Sequence, residues 1–137
     1  MGLVYAEITL KNAVDVGYAQ NGSIMETEIR QTTVQALVDT EAGTLVINET
    51  IRQVLGLKIT GTRQVELADG ARQEYAVTQP VNVQWKNRET TCLALVLPDS
   101  SDVLLGAIPL EDMDLIVNPV KQELVGAHGD EILCMIK

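Results

Sequence analysis

Short apolar and β-branched runs alternate with clusters of turn-forming residues along the whole chain. Apolar residues at every second position predict a half-buried strand, and short continuous apolar runs predict a buried one. On this basis we predict strands over 3–10, 24–30, 31–38, 45–47, 62–68, 72–77, 81–85, 90–97, 102–106, 115–117, 122–125 and 132–136. Residues 12–22 contain asparagine, aspartate and glycine and predict a loop. Many short strands with tight turns are typical of an antiparallel β-barrel or β-sandwich.

One short helix is predicted among these strands. Asn48 is a preferred N-cap residue, Glu49 suits the positive end of the helix dipole, and Gly56 ends the helix. The residues at helical spacing that are predicted to form its buried face are Ile51, Val54 and Leu55. A single further helical turn is predicted over 108–113.

A polar hairpin is predicted where the two strands 62–68 and 72–77 flank Asp69-Gly70. Asp-Gly between two strand-like runs is a strong signal for a tight β-turn. Because most side chains of both strands are polar, the hairpin cannot lie flat in a core and is expected to project into solvent.

The run 34–38 is apolar and ends at Asp39, which is followed by the small-residue loop 40–43. A carboxylate at the end of a buried strand is costly unless it is hydrogen-bonded or paired. Such a position is typical of an Asx turn, in which the carboxylate accepts bonds from nearby backbone N–H groups, or of a functional group. The run itself leaves both interpretations open.

Length and composition exclude several classes of protein. The 137 residues correspond to a single domain, 1–137, and a hydrophobic content of 46% argues against disorder. A net charge of −9 with 3% aromatic residues argues against nucleic-acid binding. Cys92 and Cys134 form no CxxC pair, so we expect neither a disulfide nor a zinc site, and predict that both are small apolar residues in strands.

The N-terminal residues have no basic stretch followed by a long apolar run, and no apolar run reaches membrane-spanning length. We therefore expect a soluble, cytoplasmic protein without a membrane partner.

The order of these pieces resembles that of the single-domain, retropepsin-like (clan AA) aspartic proteases, to which the retroviral proteases belong. The chain has a strand, an Asp-Thr-x-Ala loop at 39–42, a helix, a polar hairpin, and Leu-Leu-Gly before a short helix. The resemblance covers 31–125, and the helix 48–55 with the hairpin tip 67–70 is most similar to the prokaryotic branch.

The resemblance implies a closed antiparallel β-barrel with one short helix and assigns roles to individual residues. Asp39 would be the catalytic aspartate, Thr40 would bond across a dimer axis, and Ala42 would lie behind the loop. The hairpin tip, Ala68, Asp69 and Gly70, would be a flap over the substrate. The run Leu104, Leu105 and Gly106 would support the catalytic loop.

The chemistry of this class requires two carboxylates that share one proton, and the chain contains one Asp-Thr-x-Ala site. The expected active species is therefore a homodimer that acts on a peptide or protein substrate, with no cofactor and no metal.

Position 41 departs from the family pattern, because Glu41 stands where the family has glycine. Its side chain would point into the cleft or strain the loop, and would weaken activity. One alternative is a non-catalytic, peptide-binding dimeric barrel of the same fold. A minor alternative is a divalent-metal site formed by Asp39 and Glu41 of both subunits.

Overall fold

The computed structural model describes residues 3–98 and 101–136. The strands in these ranges are β1 (Tyr5–Asn12), β2 (Gln31–Val38), β3 (Leu45–Asn48), β4 (Ile59–Glu66), β5 (Arg72–Thr78), β6 (Val81–Trp85), β7 (Arg88–Cys92), β8 (Ala94–Leu97), β9 (Leu104–Leu105), β10 (Leu115–Asn118) and β11 (Glu123–Gly126). The helices are α1 (Ala13–Gln20), α2 (Glu49–Leu55) and α3 (Ala107–Asp112), and a 3₁₀ turn spans Glu26–Glu28.

The main sheet contains nine strands in the order β4-β5-β8-β3-β9-β2-β1-β6-β7, and β10 and β11 form a separate pair. The sheet curls into a half-barrel. Its end strands, β4 and β7, do not pair with each other within the described residues, so the predicted closed barrel is wrong. The reason lies in β4, whose side chains are almost all exposed, so this strand projects with the hairpin and does not close over the core. The prediction of a mainly β fold is confirmed.

Two strand pairs in this sheet are parallel, which the purely antiparallel prediction did not include. β9 lies between β2 and β3, parallel to the first and antiparallel to the second, and β3 runs parallel to β8. Because β9 follows β2 by more than sixty residues along the chain, no local pattern reveals this pairing. It brings the Leu-Leu-Gly run directly beside the loop after β2.

The hydrophobic core is formed by side chains of the main sheet together with residues of α2 and α3. Helix α2 contributes Leu55 and α3 contributes Leu110 to it. The largest fully buried apolar side chains are Ile8, Leu10, Leu45, Ile47, Leu55, Leu57, Val81, Val83, Leu105 and Met113. Burial at this scale stabilises each strand mainly by removing apolar surface from water, at about 25 cal/mol per Å².

Helix α2 forms as predicted at both ends. The Asn48 side chain accepts a bond from the backbone N–H of Ile51 at 2.9 Å, and Gly56 ends the helix with φ +64. The predicted buried face is correct at Leu55, but Val54 is 49% exposed. The helix is therefore anchored through a narrower stripe than the sequence pattern indicates.

Residues 12–22 and 24–30 differ from their predicted loop and strand. Asn12 caps α1 by accepting a bond from the Asp15 N–H at 3.1 Å, and 24–30 contains the 3₁₀ turn. The Asp15 carboxylate accepts bonds from the Arg30 backbone N–H at 3.0 Å and from its guanidinium at 2.8 and 2.9 Å. Arg30 holds the pKa of Asp15 below its usual range. This tertiary ion pair overrides the alternating pattern of 24–30.

The predicted strand 90–97 is two strands, because it changes partners at Leu93. β7 pairs with β6 at one end of the sheet, whereas β8 pairs with β3 and β5 near the other. The run 90–97 is almost wholly apolar and therefore predicts a strand that is buried on both faces, but Thr91 is exposed, so this prediction is wrong in the first part of the run. Of the predicted strand 102–106, only β9 forms.

The C-terminal segment 132–136 was expected to be a strand, but it joins no sheet in the described structure. The backbone N–H of Leu133 instead bonds the Asp114 carboxylate at 3.0 Å, and this carboxylate also contacts Nδ1 of His128 at 2.7 Å. Arg88 is buried and donates to the carbonyl groups of Met113 and Asp114 at 2.9 and 2.8 Å. Side-chain contacts thus hold this end of the chain.

The two cysteines differ in their surroundings. Cys92 lies in β7, and burial raises the pKa of its thiol to about 11, so it behaves as a small apolar residue. Cys134 is exposed and lies outside the strands, and the prediction for it is wrong.

Candidate active site

The loop after β2 is held by the strand inserted beside it. The Leu37 N–H bonds the Val103 carbonyl at 2.8 Å, and the Asp39 N–H bonds the Leu105 carbonyl at 3.0 Å. These parallel-strand bonds continue one residue past the end of β2. They fix the backbone of Asp39 on the rigid sheet, although its side chain already belongs to the loop.

Asp39 is half-buried as a residue, and its side chain forms an Asx turn. Its Oδ1 accepts a bond from the Glu41 N–H at 3.0 Å, and its carbonyl accepts one from the Ala42 N–H at 3.1 Å. The turn orients the carboxylate but does not remove Asp39 from the lining of the cleft that lies between this loop and the hairpin formed by β4 and β5. The structural and the functional interpretation of this residue are therefore compatible.

Gly106 permits the loop to lie directly against the supporting run. The Ala107 N–H bonds the Ala42 carbonyl at 2.7 Å, and the Ile108 N–H bonds the Gly43 carbonyl at 3.2 Å. A Cβ atom on Gly106 would lie 2.1 Å from the Thr44 carbonyl oxygen and 2.6 Å from that of Ala42. Only a residue without a side chain fits at this crossing.

Leu104 and Leu105 of the supporting run have different surroundings. Leu105 is fully buried in the core, whereas Leu104 lines the cleft. Thr40 and Glu41 are both exposed at the surface of the loop. The predicted loop residues and the supporting run are thus brought together on one side of the half-barrel.

The hairpin tip is a tight turn, as the Asp-Gly signal predicts. The Gly70 N–H bonds the Leu67 carbonyl at 2.9 Å, and the Asp69 Oδ1 accepts a bond from the Ala71 N–H at 2.9 Å. Gly70 has φ +84, in the left-handed region that glycine adopts without cost. Ala68 lines the cleft, but Asp69 and Gly70 lie outside its lining.

A cleft of about 420 Å³ separates the Asp39 loop from the hairpin. Its apolar walls come from several strands that are distant in sequence, and it is open to solvent. The residues of these walls that the sequence patterns did not single out are Val46, Val65, Tyr75, Leu95 and Leu97, and Leu67 of the predicted hairpin tip also lines the cleft. The charged residues that line it among those described are Asp39, Glu41 and Glu66.

A larger cleft of about 570 Å³ lies between α1 and the edge strand β7 and is more polar. It contains none of the residues predicted for the site. We therefore assign the candidate site to the cleft at Asp39, where a strand-end carboxylate faces apolar walls.

Position 41 accommodates its side chain without backbone strain. Glu41 is not among the residues with positive φ, so the loop does not need glycine there. Its side chain makes no hydrogen bond or ion pair with the rest of the described chain, and it lines the cleft. Of the two expected consequences of Glu41, the structure favours a side chain in the cleft over a strained loop.

In the described ranges, no group of three or more histidine, cysteine, aspartate or glutamate side chains is close enough to hold a metal ion. In the same ranges, no helix is both long and apolar enough to cross a membrane.

A strand-end aspartate on a small loop, a supporting strand inserted between β2 and β3, and a projecting hairpin define a retropepsin-like aspartyl protease domain. The sequence model of the family described as "gag-polyprotein putative aspartyl protease" matches residues 25–112, which is more than half of the chain. The chain belongs to this family.

Solved structures share the fold. The protease of EIAV in complex with the inhibitor HBY-793 has a TM-score of 0.53 and 20% identity, over 81% of this chain and 88% of that one. The retroviral protease-like domain of Ddi1 from Leishmania major has a TM-score of 0.56 and 15% identity, over 91% of this chain and 88% of that one. No curated protein matches the sequence significantly.

Proposed function

We propose that the protein is an aspartic endopeptidase of the prokaryotic retropepsin-like branch, active as a homodimer in which each subunit supplies one Asp39. The observation that carries the proposal is the position of Asp39, fixed at the end of a sheet strand and directed into an apolar cleft. The family match supports the reaction class, and helix α2 with the Leu67–Gly70 tip supports the branch.

The mechanism follows from two carboxylates that share one proton. The ionised Asp39 takes a proton from a water molecule, and the water oxygen bonds to the peptide carbonyl carbon. The protonated Asp39 of the other subunit gives its proton to the carbonyl oxygen. As the C–N bond breaks, the first Asp39 gives the proton that it took from water to the leaving nitrogen, and a hydroxyl of the tetrahedral intermediate gives its proton to the second Asp39. The new carboxyl group and the new amine then leave, and the pair again carries one proton.

The other residues of the site have positioning roles in this proposal. Thr40 joins the two loops across the dimer axis, and Ala42 and the run Leu104–Gly106 hold the loop from behind. The flap around Ala68, Asp69 and Gly70 closes over a bound peptide and excludes water.

Sedimentation combined with a cleavage assay tests this proposal. We expect the chain to sediment at twice its mass of 14.9 kDa at micromolar concentration and to cleave casein at mildly acid pH. Dilution that dissociates the dimer should lower the cleavage rate in proportion to the fraction of dimer that is lost, because a lone Asp39 has no partner carboxylate in its own chain. A strictly monomeric species with full peptidase activity would contradict the mechanism.

The change Glu41→Gly is expected to raise peptidase activity on a library of peptides without lysine or arginine, mostly through a lower KM. The glutamate side chain competes with the substrate backbone for space in the cleft, and glycine removes this obstacle. A roughly tenfold gain corresponds to about 1.4 kcal/mol of binding free energy. The measurement is kcat/KM for both proteins, with melting temperature as a control for the loop.

An unchanged activity with a lower melting temperature would show that Glu41 stabilises the loop and does not obstruct the cleft. Binding without cleavage by both proteins would favour the non-catalytic peptide-binding barrel, the alternative that the glutamate at position 41 supports.

A further inference from the structure

The cleft at Asp39 combines apolar walls with acidic residues. Its charged lining residues, within the described part of the chain, are Asp39, Glu41 and Glu66, and no lysine or arginine lines it there. The apolar part of the lining includes Val46, Leu95 and Leu97. An extended peptide in this cleft would therefore meet apolar surface and negative charge side by side.

Glu41 is the acidic group that is best placed to recognise a ligand. Its backbone N–H donates a bond to the Asp39 carboxylate at 3.0 Å, and Glu41 lines the same cleft as Asp39, the proposed catalytic group. That side chain is exposed and has no partner among the described residues. A carboxylate that is fixed at its base and unpaired at its tip can accept a cationic group without breaking an existing contact.

Glu66 contributes less to such recognition. It lies 4.0 Å from the Arg72 guanidinium, and both side chains are largely exposed. This existing pair offsets part of its charge, although an exposed pair of this kind is weak. Glu66 therefore acts as a secondary contact at the hairpin side of the cleft.

We infer that Glu41 is a specificity-determining residue that selects peptides in which a bulky apolar residue is followed or preceded by lysine or arginine. This inference rests on the proposed function, because it takes the cleft as the substrate site. In a symmetric dimer Glu41 appears on both sides of the scissile bond, so a basic residue on either side would be recognised. The net charge of −9 per chain attracts the same cationic peptides over longer distances.

Peptide affinity, measured with the non-cleaving variant Asp39→Asn, tests the inference. The probes are three labelled peptides of identical apolar sequence that carry lysine, glutamine or glutamate beside the central residue. At low salt and about pH 6, where ordinary glutamates are ionised, we expect the lysine peptide to bind roughly three- to tenfold more tightly than the glutamine peptide. The peptide that carries glutamate should bind more weakly than the glutamine peptide. High salt should reduce the differences in affinity among the three peptides.

The double variant Asp39→Asn/Glu41→Gln should lose most of the lysine preference while its affinity for the glutamine peptide stays similar, because glutamine preserves the size of the side chain. The matched control is Asp39→Asn/Glu89→Gln, which removes the same charge from an exposed residue of β7 away from the cleft. This control should keep the preference.

The inference is wrong if the three peptides bind with equal affinity or do not bind at all. It is also wrong if the Glu89 control loses the lysine preference, or if the Glu41→Gln double variant keeps that preference. Cleavage by the unmodified chain is measured separately. Cleavage without a lysine preference contradicts the inference and leaves the proposed function intact. Lysine-dependent binding without any cleavage supports the inference and contradicts the proposed peptidase.

Discussion

Asp39→Asn is expected to abolish peptide cleavage, with a loss of about a thousandfold or more, because the proposed acid–base mechanism depends on a proton shared by the Asp39 carboxylates of two subunits. An amide can neither take a proton from water nor give one to the carbonyl oxygen at working pH. In a homodimer both positions change together, so no carboxylate pair remains. The measurement is kcat/KM for a cleaved peptide across the acid and neutral range.

The fold should tolerate this change. Asn Oδ1 can accept the same bond from the Glu41 N–H that Asp39 accepts at 3.0 Å, so the Asx turn can persist. A matched control is Asp130→Asn, which removes the same charge at an exposed position outside the cleft and should retain full activity. The carboxylate mechanism is wrong if Asp39→Asn keeps the cleavage rate of the unmodified chain. It is also wrong if a chelator abolishes cleavage by the unmodified chain.

The pH profile gives a second readout of the same pair. Two close carboxylates share protons in two macroscopic steps, and the proposed mechanism requires the state of the pair that carries one proton. Activity should therefore rise and then fall around a maximum at acid to mildly acid pH. A profile that rises continuously to alkaline pH would indicate a different base.

The parts of the fold that the sequence predicts correctly are those set by local chemistry. Helix α2 is fixed by Asn48 at one end and Gly56 at the other, and the hairpin tip is fixed by Asp69-Gly70. In each case the deciding contact lies within a few residues. Such signals can be found in a single sequence because no distant partner is needed.

The incorrect predictions involve partners that are distant in sequence. The alternation over 24–30 favours a strand, but Arg30 binds Asp15, which belongs to α1, and the segment forms a 3₁₀ turn. The run 90–97 is uniformly β-favouring, yet the two halves pair with opposite ends of the sheet. Periodicity indicates which residues can form strands, but it does not identify the strands with which they pair.

The candidate site divides in the same way. The Asp39 loop, the flap tip and the Leu-Leu-Gly run were predicted through their motifs, and the structure brings Asp39, Ala68 and Leu104 to one cleft. The cleft walls from β3, β5 and β8 carry no motif, because any apolar strand residue satisfies the pattern. The roles of these residues, the dimer and the cytoplasmic location stay predictions.

Gly106→Ala is expected to destabilise the protein by about 3 kcal/mol or more, at the upper end of the cost of overpacking. The added Cβ would meet the Thr44 and Ala42 carbonyl oxygens at 2.1 and 2.6 Å. Both contacts are with backbone, which cannot rotate away as a flexible side chain can. Relief requires the loop to separate from α3, which would break the 2.7 Å bond from the Ala107 N–H to the Ala42 carbonyl.

The matched control is Gly43→Ala in the same loop, where an added Cβ meets nothing within 4 Å and φ is not positive. This variant should unfold within about 0.5 kcal/mol of the unmodified chain. Chemical denaturation of the three proteins gives the free energies directly, and the melting temperature of Gly106→Ala should fall by about 10 °C or more. Because the displaced loop carries Asp39, any folded Gly106→Ala protein should also have lost peptidase activity. If the two alanine variants unfold at the same denaturant concentration, the prediction is wrong, and the close contact of Gly106 with the Thr44 carbonyl does not determine the stability of the loop.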